Sequence, residues 1–120
     1  MIILDTNFLI YLIEYRIAHI LEDRKKELAV PIPVILELER LSEGARKSKE
    51  RAAAKLAIVL LEKWNVNVLR AEGHADDAIK DLALKNRAKV ATMDKLLGRR
   101  LKESGVKVLK IRQKKHLIEE

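Results

Sequence analysis

The chain contains no cysteine. Disulfides, thiolate metal sites and cysteine nucleophiles are excluded together, and the composition fits a reducing compartment, so a cytoplasmic location is expected. Aromatic residues are nearly as scarce: Phe8, Tyr11, Tyr15 and Trp64 are the full set. A core must therefore be assembled from Leu, Ile, Val and Ala. Only four glycines are present. Neither G-x-G-x-x-G nor a P-loop occurs, so dinucleotide and nucleoside-triphosphate binding lack their backbone cradle. Long apolar runs are also missing. Met1–Leu4 and Phe8–Ile13 are split by Asp5-Thr6-Asn7 and lack the basic leader and cleavage pattern of a signal peptide, so no membrane association is expected.

What remains is a chain of 120 residues, 48% apolar and 36% charged, a globular composition long enough for one core. Residues 1–120 are expected to form a single domain. The net charge of +7 is unevenly placed. Residues 1–84 carry 13 basic and 14 acidic side chains, whereas residues 85–120 carry 12 and 4. The C-terminal third is thus strongly basic, which suits a polyanionic partner, although a charge run is more often simply a solvated face.

Strand and helix signals alternate. Met1–Leu4 reads as a buried parallel strand and Asn7–Arg16 as a helix with Phe8, Tyr11, Leu12 and Tyr15 at helical spacing. More helix and a charged turn follow over 17–27, then a second strand at Leu28–Pro31. Pro33 suits the first residue of a helix running to about Glu43, with Gly44 as its stop. A long helix is predicted over Arg46–Trp64, a strand at Val66–Leu69, and a helix from about Ala75 to Asn86. Lys89–Thr92 is a fourth strand, Lys95–Glu103 a helix, Val106–Ile111 a fifth strand, and Arg112–Glu120 a tail with a short helical turn. This alternation predicts an α/β fold, a parallel sheet with helices on both faces.

Function in such sheets gathers beyond the carboxyl ends of the strands. Asp5, Glu37, Asp76 and Asp94 each follow a different strand there. Singly, Asp5, Asp76 and Asp94 are explained as helix N-caps. Glu37 is not, because Val34, Ile35, Leu38 and Leu41 surround it and an isolated carboxylate on an apolar face is costly. Four carboxylates with no Cys or His among them are hard oxygen donors suited to Mg²⁺ or Mn²⁺ and poorly suited to Zn²⁺. Such ions bind phosphate oxygens and activate water for attack on a phosphodiester. His19, His74 and His116 are not spaced as ligands. The D-T-N after the first strand also lacks the second Asp of haloacid-dehalogenase-type phosphatases.

Four separated motifs, Ile3-Leu4-Asp5-Thr6-Asn7-Phe8-Leu9-Ile10, Val34-Ile35-Leu36-Glu37-Leu38-Glu39-Arg40-Leu41, Ala75-Asp76-Asp77-Ala78-Ile79 and Val90-Ala91-Thr92-Met93-Asp94, resemble those of the PIN-domain ribonucleases. Each is weak alone; their order and spacing make the set specific. The resemblance implies a three-layer α/β/α domain of about five parallel strands in the order 3-2-1-4-5. It also implies a Mg²⁺- or Mn²⁺-dependent endoribonuclease (a hydrolase) whose catalytic and metal-binding acids are Asp5, Glu37, Asp76 and Asp94. Asp77 is an added metal ligand in this scheme, and Thr6, Asn7 and Thr92 are supporting residues. RNA is the expected partner, held by Arg99, Arg100, Lys102, Lys110, Arg112, Lys114 and Lys115, and a homodimer is expected.

Within the family, the Ala-Asp-Asp pair and the segment from Arg99 to Arg112 look like the ribosomal-RNA-processing PIN endonucleases. A VapC-type toxin ribonuclease with an antitoxin partner is the alternative reading, and a non-catalytic RNA-binding module is a second.

Overall fold

The computed structural model describes residues 1–120. Six strands form one sheet: β1 (Ile2–Leu4), β2 (Leu28–Pro31), β3 (Asn67–Leu69), β4 (Lys89–Ala91), β5 (Val108–Arg112) and β6 (His116–Glu119). Five helices intervene: α1 (Thr6–Glu14), α2 (Ile32–Gly44), α3 (Ser48–Lys63), α4 (Ala75–Asn86) and α5 (Lys95–Glu103). The spatial order is β3-β2-β1-β4-β5-β6. The first five strands are parallel, with helices on both faces, as the three-layer expectation requires. β1 lies at the centre, in register Ile3↔Ala29 on one side and Ile3↔Val90 on the other. Chain order runs outward from β1 in both directions. The crossovers diverge there and leave a crevice at the carboxyl ends of β1 and β4.

The strands of the sheet centre are short, apolar and fully buried because helices cover both faces. Ile2, Ile3, Leu4, Phe8, Leu9, Leu12, Leu38, Ile79, Leu97 and Leu101 belong to a single cluster of 27 buried apolar residues. Fully burying one such side chain contributes about 1.5–3 kcal/mol, so aliphatic residues suffice where aromatics are few.

Three sequence expectations change. Residues Ala18–Glu27 form a 3₁₀ segment rather than further α-helix. Leu21 is its one buried side chain, so no apolar stripe of α-helical period stabilises the wider form. Gly44 is the last helical residue of α2 and not a left-handed stop; Ala45 ends the helix in extended conformation, donating its N–H to Leu41 O. Left-handed stops do follow other helices. Arg16, Asn65 and Arg87 take positive φ beside Gly105, so a glycine-poor chain ends its helices on residues with side chains at a cost of about 1–2 kcal/mol each.

The tail is the third change: it forms strand β6, antiparallel to β5, with no helical turn. β5 would otherwise present an open edge, and pairing satisfies its backbone groups. Glu119 and Glu120 then meet Lys89, Lys102 and Lys110 at 2.6, 3.1 and 2.9 Å.

Candidate active site

Asp5 follows β1 directly and caps α1, its Oδ1 accepting the Thr6 N–H at 2.8 Å. Its Oδ2 accepts a 2.7 Å hydrogen bond from Thr92 Oγ1. The same Thr92 oxygen accepts the Asp94 N–H at 3.1 Å, and Asn7 Oδ1 accepts the Met93 N–H at 3.0 Å. Asn7 and Thr92 thus stitch the β1–α1 junction to the β4–α5 junction, and Thr92 orients Asp5 while holding the backbone at Asp94. Asp5, Thr6 and Thr92 are three of only four buried polar residues in the protein, the other being Ser42. Polar burial is therefore concentrated at one point of the fold.

Around that point lies a cleft of about 370 Å³ lined by Asp5, Glu37, Asp76 and Asp94. All four acids singled out in the sequence line it. Glu14 of α1 and Glu50 of α3 line it as well, which the sequence reading missed. The signal for Glu14 was present: Asn7, Ile10, Tyr11 and Glu14 recur at the three- and four-residue spacing of one helix face. Nothing local marks Glu50. Asp77 does not line the cleft; it is exposed and forms a 3.2 Å ion pair with Arg100. Glu39 is exposed and outside it as well.

The capping explanation covers only part of the cluster. Asp94 does cap α5, its Oδ1 accepting the Leu96 and Leu97 N–H groups at 2.9 and 3.1 Å. Asp76 is not a cap. It is the second residue of α4, and His74 occupies the cap position without a side-chain bond. Glu37, half-buried in the middle of α2, has no capping role either.

The electrostatics are one-sided. No Lys or Arg forms an ion pair with Asp5, Glu14, Glu37, Glu50, Asp76 or Asp94. Burial pushes Asp5 up to about 6, with the charges of Asp76 and Glu37 adding to it against the bonds from Thr92 and Thr6. Asp76 is also raised, first by burial and then by Asp94, with Arg100 pulling the other way. Such a group of like charges favours any cation that enters. The donor set fits a hard divalent ion: every cleft ligand candidate is an oxygen, and the buried Thr6 hydroxyl beside Asp5 has no hydrogen-bond partner. The carboxylates line the cleft without three of them closing on a common point.

Asp94 has both a structural and an electrostatic role here, and the two separate by substitution. Asp94→Ala loses the α5 cap and is expected to lower stability by about 1 kcal/mol. Asp94→Asn keeps an accepting oxygen and removes a charge facing Asp76, so in chelator it should melt at or above wild type. Thermal unfolding checks this, and equal losses in both variants would contradict the proposed repulsion.

Of the seven basic residues expected to hold RNA, four are engaged elsewhere. Arg100 binds Asp77, Lys102 and Lys110 bind Glu120, and the Lys114 ammonium lies 4.9 Å from the centre of the Tyr15 ring. Arg99, Arg112 and Lys115 are exposed and form no ion pair.

A cation-free carboxylate cleft beyond the carboxyl edge of a parallel sheet defines an α/β domain with an oxygen-donor acidic site at its topological switch. The chain belongs to the PIN like domain family, whose pattern matches residues 2–114. It is 36% identical to the protein named Ribonuclease VapC4 from Methanocaldococcus jannaschii, over 96% of this chain and 92% of that protein. A solved structure described as a domain of a functionally unknown protein from the same organism has a similar fold. Its TM-score is 0.63 at 19% identity, covering 92% of this chain and 90% of the other.

Proposed function

We propose that this chain is an endoribonuclease that hydrolyses RNA phosphodiester bonds at the Asp5–Glu37–Asp76–Asp94 cleft with the help of Mg²⁺ or Mn²⁺. The observation that carries this reading is Asp5: a buried carboxylate, facing further carboxylates, with no cationic partner. Leaving such a charge uncompensated is expensive, and the arrangement is sensible in a protein that binds a cation there. Family membership and the similarity to a protein named a ribonuclease support the choice of RNA as substrate.

Asp5, Asp76, Asp94 and Glu37 would hold the ion. When bound, it offsets charge on the phosphate and makes water a better nucleophile. Thr92 and the Thr6 N–H fix the Asp5 carboxylate, and Asn7 fixes the backbone that carries Asp94. Glu14 and Glu50 extend the acidic wall.

The first test is calorimetric. Wild type is expected to bind Mn²⁺ and to lose RNA cleavage in chelator, and Asp5→Asn to bind Mn²⁺ more weakly by about tenfold or more. Equal affinity in both proteins would place the ion elsewhere.

For the biological role, the full-length similarity to a VapC-named protein favours the VapC-type reading over ribosomal-RNA processing, which the comparisons do not support. That reading includes an antitoxin protein as partner. Growth arrest on expression, relieved by the product of a neighbouring gene, is the result expected from it.

A further inference from the structure

A second, larger recess adjoins the carboxylate cleft. It has a volume of about 920 Å³ and lies between the Ile32–Arg40 stretch of α2 and the loop joining β3 to α4. Glu37 belongs to both cavities, so the recess opens directly beside the proposed scissile position. Ile32, Pro33 and Leu36 form an apolar wall, with Leu36 about half exposed at 49%. Arg40 and Arg70 supply positive charge, and Glu72 and His74 the remaining polar groups of the loop. Gly73 holds that loop at φ +85°, a conformation open to few other residues.

Arg40 and Arg70 share with Arg99, Arg112 and Lys115 the lack of an ion pair, but only Arg40 and Arg70 line this recess beside Glu37. Arg100, Lys102 and Lys110 already face carboxylates. Exposed pairs of this kind are weak and can be displaced, but displacement has a cost. Arg40 and Arg70 are exposed and form neither an ion pair nor a side-chain hydrogen bond, although Glu37 and Glu72 share their recess. Two unpaired guanidiniums beside an apolar wall match a nucleotide: guanidinium groups take phosphate oxygens in a bidentate manner, and aliphatic surface accepts the face of an unstacked base. Pockets of roughly 300–1,000 Å³ take small ligands, so this one has room for a nucleotide or more.

Building on the nuclease reading, we infer that the Arg40–Arg70 recess binds the single-stranded RNA segment adjoining the bond to be cut. Arg40 and Arg70 hold its phosphates, and a base packs on Ile32, Pro33 and Leu36. The RNA therefore crosses the β2–β3 side of the sheet edge, not primarily the basic C-terminal third.

The test compares wild type, an Arg40→Gln/Arg70→Gln variant and an Arg99→Gln/Arg100→Gln variant. All are exposed positions, and a thermal melt of each variant checks that its folding is unchanged. Each protein is titrated against one RNA hairpin with a long single-stranded tail, by fluorescence anisotropy in chelator and by single-turnover cleavage in Mn²⁺. The recess variant is expected to raise the dissociation constant and half-saturating enzyme concentration about tenfold or more, and to flatten the log–log salt slope by about 1.4. Its maximal rate should stay within about threefold of wild type, since the carboxylates are untouched. The Arg99/Arg100 variant should change affinity less.

If wild type cuts and the recess variant behaves like it, the inference falls and the nuclease reading stands. If the recess variant weakens binding but wild type never cuts, the recess stands and the nuclease reading falls. If wild type binds no RNA, both fall.

Discussion

Glu37→Gln is expected to reduce single-turnover RNA cleavage in Mn²⁺ by about 100-fold or more, a loss typical of removing one charged group from a preorganised site. Glu39→Gln, two positions along the same helix, is expected to stay within about twofold of wild type because surface substitutions away from such sites are nearly neutral. The contrast follows from helix geometry. Residues two apart differ by roughly 200° around the axis, so they occupy nearly opposite faces. Glu37 is half-buried and lines the carboxylate cleft; Glu39 is exposed and lines no part of it. Glutamine preserves size and helix propensity, which isolates the charge. Measuring the rate at saturating enzyme separates chemistry from binding. A silent Glu37→Gln, or a loss in Glu39→Gln of the same size, would mean that the second acid has been wrongly chosen.

The second large effect is on stability, and its sign is opposite to that of most carboxylates. Asp5 is raised from its ordinary value of 3.8 to about 6, chiefly by burial. Between those values the folded protein holds this proton more tightly than the unfolded chain does. Stability of the metal-free protein must then fall as pH rises through 6, and return as the pH is lowered. The full cost of the charge above pH 6 is on the order of 3 kcal/mol, of which roughly 1–1.5 kcal/mol is recovered between pH 7 and pH 5.

Glu119 and Glu120 do not interfere in that window. Lys89 and Lys110 hold them below the usual carboxylate range, so they titrate at lower pH. Chemical unfolding in chelator at pH 5, 6 and 7 reads the effect directly. Asp5→Asn should remove most of the slope while keeping the fold; Asp76, raised in the same direction by burial and by Asp94, supplies the rest. Its side-chain oxygen can still accept the Thr6 N–H, and Thr92 can turn its hydroxyl toward Asn7 Oδ1, 3.3 Å away. A wild-type profile that rises from pH 5 to pH 7, or one that Asp5→Asn leaves unchanged, would remove Asp5 as the source. Mn²⁺ should offset the cost at pH 7, because binding to the folded state alone adds stability by mass action.

Much of the fold was legible because its determinants are local. The apolar runs ending at Leu4, Pro31, Leu69 and Ala91 mark the centre of a parallel sheet, and the intervening apolar spacings mark helices. The same punctuation placed Asp5, Glu37, Asp76 and Asp94 at one sheet edge, and all four line one cleft. The tail was misread for a physical reason: residues 116–119 carry no strong pattern of their own, and the free edge of β5 decides their conformation.

By itself, then, the sequence determined the alternation of elements, the α/β class and the strand ends at which the acids sit. These depend on capping and helical periodicity, interactions that reach only a few residues along the chain. Tertiary structure decided which charges meet. The bond from Thr92 to Asp5 spans 87 positions and exists because β4 lies beside β1. Glu14 and Glu50 join the cleft, and Asp77 leaves it for Arg100, through the packing of separate helices. Lys102 and Lys110 are neutralised because β6 brings Glu120 to them, while Arg40 and Arg70 stay unpaired beside Glu37. Charge pairing is set by distance in space, and no count of basic residues along a chain contains that distance.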